Sequence, residues 1–164
     1  MNDVAQDLTD FKKILNDVKF AMLSTLQSDG SIHSRPMSTL NIDNFDGTLW
    51  FFSKKDSNKN HNIENDQHVN LAYSNPSKQH YVSVSGRATI SDDRDRMKAF
   101  WNPGFSVWFP DGLEDPELSL IGVKVESAEI WDSEHKISDF IDFVKSTLTG
   151  MPVDIQPETK HINI

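Results

Sequence analysis

The chain has 164 residues, 37% hydrophobic and 25% charged, with a net charge of −9 and no cysteine. That is the composition of one globular domain able to bury its own core. It excludes disulfides, thiolate metal sites, iron–sulfur clusters and cysteine nucleophiles, and its acidic excess argues against chain-wide attraction to nucleic acid.

Val4, Leu8, Phe11, Ile14, Leu15 and Val18 recur at helical spacing, which predicts an amphipathic helix over residues 4–18. Phe20–Gln27 and Ile32–Asn41 read as strands around the turn Ser28-Asp29-Gly30, a β-hairpin. After a turn at 43–47, Thr48–Ser53 is a short aromatic strand, and Asp56 and Ser57 can cap a helix over Asn58–Asn65. Val69–Ser74 and the alternating Tyr81–Ile90 are two more strands. Ser91 stands as the N-cap of a helix over Asp92–Trp101. Residues 102–118 hold Pro103, Gly104, Pro110, Gly112 and Pro116 and read as a loop. Leu120–Trp131 is the last long strand, and Ile137, Phe140, Ile141, Val144 and Leu148 mark a final helix.

Five or six strands with short helices between them argue for a closed or nearly closed β-barrel with α decoration. Residues 1–150 form the single domain, and 151–164 a polar, mobile C-terminal tail. No apolar run approaches the ~20 residues of a membrane span. The first residues lack the basic and apolar segments of a signal peptide. The expectation is a cytoplasmic protein with no membrane and no nucleic-acid partner.

Three segments could carry chemistry. Trp50-Phe51-Phe52-Ser53-Lys54-Lys55-Asp56-Ser57-Asn58-Lys59 runs from a strand end through a basic turn into a helix start. A helix N-terminus offers unpaired N–H groups and a partial positive charge. Ser57, Lys59 and Lys54 could join it in holding a phosphate, or could simply form a capped helix with solvated lysines. In His33-Ser34-Arg35-Pro36-Met37-Ser38, Pro36 removes a ladder donor and marks an edge or bulged strand. Arg35 can meet a phosphate bidentately or sit as a surface side chain. Trp108 and Phe109 stand on the Gly/Pro-rich loop, where large aromatics close a ligand cleft or subunit interface, or anchor the loop to its own core. The six histidines show no helical metal-binding spacing and no metal site is expected; the Gly-x-Ser-x-Gly hydrolase elbow and the dinucleotide glycine fingerprint are both missing.

In order, Ser34-Arg35-Pro36-Met37, Leu49-Trp50-Phe51-Phe52-Ser53, Asp56-Ser57-Asn58-Lys59, Tyr81-Val82-Ser83-Val84-Ser85-Gly86, Trp108-Phe109-Pro110, Asp115-Pro116 and Ala128-Glu129-Ile130-Trp131-Asp132 resemble the general stress protein 26 branch of the pyridoxamine 5'-phosphate oxidase-like superfamily. The resemblance covers roughly residues 8–132. It implies a flavin mononucleotide (FMN)-binding split β-barrel, mainly β with α decoration, that forms a homodimer with flavin in clefts between subunits; FAD is the alternative cofactor. It also implies that Arg35, Ser57 and Lys59 hold the flavin phosphate, that Pro36, Met37, Phe51, Phe52 and Ser53 line the flavin, partly through backbone atoms, and that Trp108 and Phe109 approach the cleft.

True pyridoxamine phosphate oxidases carry substrate-binding Arg and His residues in a C-terminal strand and turn. Here the last strand runs into Ser133-Glu134-His135-Lys136, with no equivalent arginine pair. Vitamin B6 oxidation is therefore not expected. The expected function is an FMN-dependent oxidoreductase acting on an unidentified small molecule and linked to stress response. A non-catalytic flavin-binding, storage or sensing protein is the second reading. A haem-binding split barrel using His161 is a third.

Overall fold

The computed structural model describes residues 4–132 and 159–163. Helix α1 (Val4–Val18) is followed by β1 (Phe20–Leu26), β2 (Ile32–Ser38), β3 (Thr48–Lys54), α2 (Asn58–Asn65), β4 (His68–Asn75), β5 (His80–Ser91), α3 (Arg94–Phe100), β6 (Leu118–Trp131) and β7 (Thr159–Asn163). The strands form one antiparallel sheet in the order β2-β1-β4-β5-β6-β3, with β7 also paired to β6. Strand β6 is long enough to serve both: Leu118–Lys124 pairs with β3 and Ser127–Trp131 with β7. A bulge between Ser85 and Gly86 bends the β5–β6 ladder. A Cβ on Gly86 would lie 2.3 Å from the Lys124 carbonyl oxygen, so the close approach needs glycine.

The sheet curls until its ends meet without forming a ladder. Just past β2, Leu40 N–H donates to the Trp50 carbonyl of β3. The Asn41 side chain then stands in for a strand, donating to the Thr48 carbonyl and accepting from Trp50 N–H. The result is a split barrel, and β2 is an edge strand with β1 as its sole ladder partner among the described residues. An edge is where Pro36 can be tolerated.

Two apolar clusters result from strand alternation. Leu49 and Phe51 of β3 point into the main barrel core with Leu23, Leu71, Val84, Ile121 and Val123, sealed by Phe11, Ile14 and Leu15 of α1. Trp50 and Phe52 point the other way, into a second cluster with Met97, Phe109, Leu118 and Leu120. Strand β3 is thus apolar on both faces, which accounts for three aromatics in a row. Trp50 lies flat on Gly122, where a Cβ would come 2.6 Å from the indole, and Arg96 stacks above it at 4.2 Å.

Several boundaries differ from the expectations. The second strand ends at Ser38 rather than Asn41, because the backbone after it turns toward Lys19 and Trp50. Ser91 belongs to β5; the cap of α3 is Asp93, whose carboxylate accepts from Arg96 N–H, and the helix starts at Arg94. The 102–118 segment carries two short 3-10 turns, Pro103–Val107 and Gly112–Glu114. Part of the expected tail, Thr159–Asn163, is strand β7, with Ile162 buried in the main core. The helix expected around Ile137–Leu148 lies outside the described residues. No helix among the described residues is long and apolar enough to cross a membrane.

Candidate functional site

A cavity of about 390 Å³ opens where β2, the end of β3, the start of α2 and the 103–109 turn come together. That volume is in the range of small-molecule sites. Pro36, Met37 and Ser38 supply one wall, and Phe52, Ser53 and Lys54 another. Lys59 enters from α2, Phe20 from β1, and Phe105, Trp108 and Phe109 from the loop.

The loop wall is held by aromatic packing. The Phe52 ring meets Trp101, Phe105 and Phe109 at centroid distances of 5.7, 5.1 and 6.1 Å, near edge-on. Arg94 of α3 donates to the Leu113 and Asp115 carbonyls and ties the far end of the loop to that helix. Phe109 is buried, whereas Trp108 is 55% exposed at the mouth.

The opposite side is polar and positive. Ser57 caps α2, its hydroxyl accepting from Asn60 N–H. Asn60 is itself fully buried: its Oδ1 accepts from Ser53 Oγ at 2.7 Å and its Nδ2 donates to Ser119 Oγ at 3.1 Å. Ser119 Oγ donates in turn to the Ser53 carbonyl. This network bolts the first turn of α2 to β3 and β6, and so fixes where Lys59 stands. Arg35 donates through Nη1 to Thr25 Oγ1 at 2.7 Å and to the Leu23 carbonyl at 3.3 Å. Asn62 of α2 donates to the same Thr25 hydroxyl.

Lys59 is held below the ordinary lysine range, first by burial and then by the nearby charges of Arg35 and Lys54. Burial also lowers Arg35. Among the described residues Lys55, Lys78, Arg87, Arg94 and Arg96 lie in ion pairs with carboxylates; Arg35, Lys54 and Lys59 lie in none, as do Lys12, Lys13, Lys19, Lys98 and Lys124, but these three stand together. Three cations gathered without a counter-charge raise the energy of the free protein, and an anion would relieve it. Among the described residues the lining also holds no carboxylate and no imidazole.

Of the ten residues singled out in the sequence, Pro36, Met37, Phe52, Ser53, Lys59, Trp108 and Phe109 line this cavity. Arg35 stands beside it, close enough to act on Lys59 but turned onto Thr25. Ser57 is occupied as the helix cap and lies within 3.4 Å of Ser53 Oγ. The Phe51 side chain turns by alternation into the barrel core, fully buried, and is not on the wall. Phe20, Ser38, Lys54 and Phe105 complete the lining; of these the sequence had pointed only to Lys54. His161 lies on β7, exposed and 3.4 Å from Glu129, and is not part of the lining.

The family described as pyridoxamine 5'-phosphate oxidase like matches residues 6–154. General stress protein 26 of Bacillus subtilis is 28% identical over 138 residues, 82% of this chain and 92% of that protein. Protein bli-3 of Neurospora crassa is 29% identical over 160 residues, 92% of this chain and 77% of that one. Among solved structures, the general stress FMN/FAD binding protein from Xanthomonas citri superposes with a TM-score of 0.71 at 28% identity, covering 80% of this chain and 92% of the other.

Proposed function

We propose a flavin-binding role for this chain, which belongs to the pyridoxamine 5'-phosphate oxidase-like family. The observation that carries it is the juxtaposition of three unpaired cations with an aromatic-walled cavity. A phosphate-bearing planar heterocycle satisfies both halves at once. The solved relative from Xanthomonas citri is an FMN/FAD binding protein, which supports the same reading. FMN is the proposed cofactor, with FAD the alternative.

In this reading Lys59, with Lys54 and Arg35 behind it, faces the phosphate at the capped start of α2. Pro36, Met37 and Ser38 present an edge strand to the heterocycle, and Phe52 and Ser53 flank it. Trp108 and Phe109 exclude water from the mouth. A bound flavin supplies hydride and single-electron transfer. The chain's own contribution is orientation and a dry aromatic wall; among the described residues no carboxylate or imidazole lines the cavity. An oxidoreductase acting on a small molecule, linked to stress response and housed in the cytoplasm, is the reading proposed.

A homodimer is part of the proposal. Phe20, Met22, Ser24 and Leu26 of β1 face outward, and cross-strand pairing places Ser38, Pro36, Ser34 and Ile32 of β2 beside them. The same face continues through Ala72 and Asn70 of β4. None of these residues is charged, and Phe20 is 50% and Ile32 73% exposed. An uncharged apolar sheet face of this kind suits a self-complementary two-fold contact. Phe20, Pro36 and Ser38 also border the cavity, so a second copy seated there would close its open side.

The visible spectrum of the purified protein, before and after adding FMN, tests cofactor binding. Enzyme and flavin carrier separate on turnover. The proposed oxidoreductase is reduced by a nicotinamide donor and reoxidised by a defined acceptor at useful rates, whereas a carrier shows neither.

A further inference from the structure

We propose that in the flavin-free protein Lys59 forms an imine with a small anionic carbonyl compound, an aldehyde or α-keto acid, admitted to the same cavity, and that this compound and flavin exclude one another. Only the second half rests on the flavin reading above.

The geometry favours this amine over the others. Lys59 is half-buried and opens onto the cavity, whereas Lys54, the other lysine of the lining, is exposed. Lys78, by contrast, is locked 2.7 Å from Asp17. The wall facing Lys59 is apolar and aromatic, and its two charged neighbours are both cations. Burial and these like charges favour the neutral, nucleophilic amine. A desolvated lysine beside a second cation is a known way of making an amine attack carbonyl groups. Arg35 is tied through Nη1 to Thr25 and the Leu23 carbonyl. Lys54 on the lining, with the charge of Arg35 beside it, can hold a carboxylate while the carbonyl carbon meets Lys59 Nζ.

The step balances without an added oxidant or reductant. The Nζ lone pair attacks the carbonyl carbon, and a proton passes from nitrogen to the oxygen to give a carbinolamine. Loss of one water leaves the imine, and the apolar wall slows the return of that water.

The test incubates the flavin-free full chain with glyoxylate and sodium cyanoborohydride at neutral pH, then locates the reduced adduct by peptide mass mapping. Exposed Lys13 and Lys98 serve as internal references. Glyoxylate should label Lys59 about tenfold faster than either, the factor one hydrogen bond to a charged group carries. Propionaldehyde, which lacks the carboxylate, should lose most of that preference. FMN should suppress the labelling of Lys59 and leave Lys13 and Lys98 unchanged. Labelling of Lys59 no faster than the references would overturn the proposal, whatever FMN does in a separate titration. Fast labelling that persists under saturating, demonstrably bound FMN would overturn the mutual exclusion. Fast labelling in a protein that binds no FMN would uphold the carbonyl site and count against the flavin reading alone.

Discussion

Replacing Lys59 by Met should make the free protein more stable and its flavin complex weaker. The Lys59 amine is half-buried, close to Arg35 and Lys54, and without a carboxylate partner among the described residues. Removing it relieves like-charge repulsion and the cost of burying a charge, and Met keeps the packing of the lysine stem. A gain of about 1 kcal/mol is expected, the usual scale of a stabilising substitution at a functional site. For a chain of this size that raises Tm by roughly 2–4 °C. The same change removes a charge-assisted contact to phosphate, worth roughly 1.5–3 kcal/mol, or about 10- to 100-fold in FMN affinity. Salt and partial exposure push the loss toward the lower figure. Riboflavin, which lacks the phosphate, should bind Lys59→Met about as well as the parent. Calorimetry on both proteins with both ligands, plus thermal melts without ligand, gives all four quantities. A lower Tm together with equal losses for FMN and riboflavin would refute the reasoning, since it would make Lys59 an ordinary packing residue.

Asn60→Ala strips Ser53 and Ser119 of a buried partner and should cost about 1–3 kcal/mol, read as a drop in Tm, with FMN binding weakened further because the first turn of α2 is no longer bolted to β3. Met22→Asp puts a charge in the uncharged outer face and should convert a dimer to a monomer by light scattering without unfolding it; a parent that already scatters as a monomer near 18.7 kDa would refute the two-fold contact. FMN affinity should also fall on the alkaline side. Lys59 must be a cation to hold phosphate, and its proton is lost below the ordinary lysine value of 10.5, so the decline should begin below that pH, with proton uptake on binding in the same window. Lys59→Arg should abolish this alkaline decline, because guanidinium stays charged throughout.

The sequence made the barrel legible because its strands alternate or are bounded by strong turn residues, as at Gly30, which adopts φ 85°. The basic turn into α2 was legible for the same local reason: cap, helix start and lysines are contiguous. What lay beyond reach was non-local. Strand β7, which buries Ile162, pairs with β6, some thirty residues earlier in the chain. The sidedness of β1 ran against hydrophobicity, since Ala21, Leu23 and Thr25 are inside while the larger Phe20, Met22 and Leu26 face out. Phe20 and Phe105 reach the cavity only through tertiary packing. Phe51 and Phe52 are neighbours on a strand buried on both faces, and nothing local distinguishes core side from cavity side. Asn60 reads as an ordinary helix residue until Ser53 and Ser119 are seen to converge on it.

The most direct test of the account is a titration of FMN into the purified protein, followed by flavin fluorescence and by thermal melting. The account predicts saturable quenching as the isoalloxazine enters the aromatic-walled cavity, with a melting temperature that climbs with ligand concentration, as it must for any ligand of the native state. Unquenched flavin and an unchanged melting temperature at high micromolar FMN would contradict it.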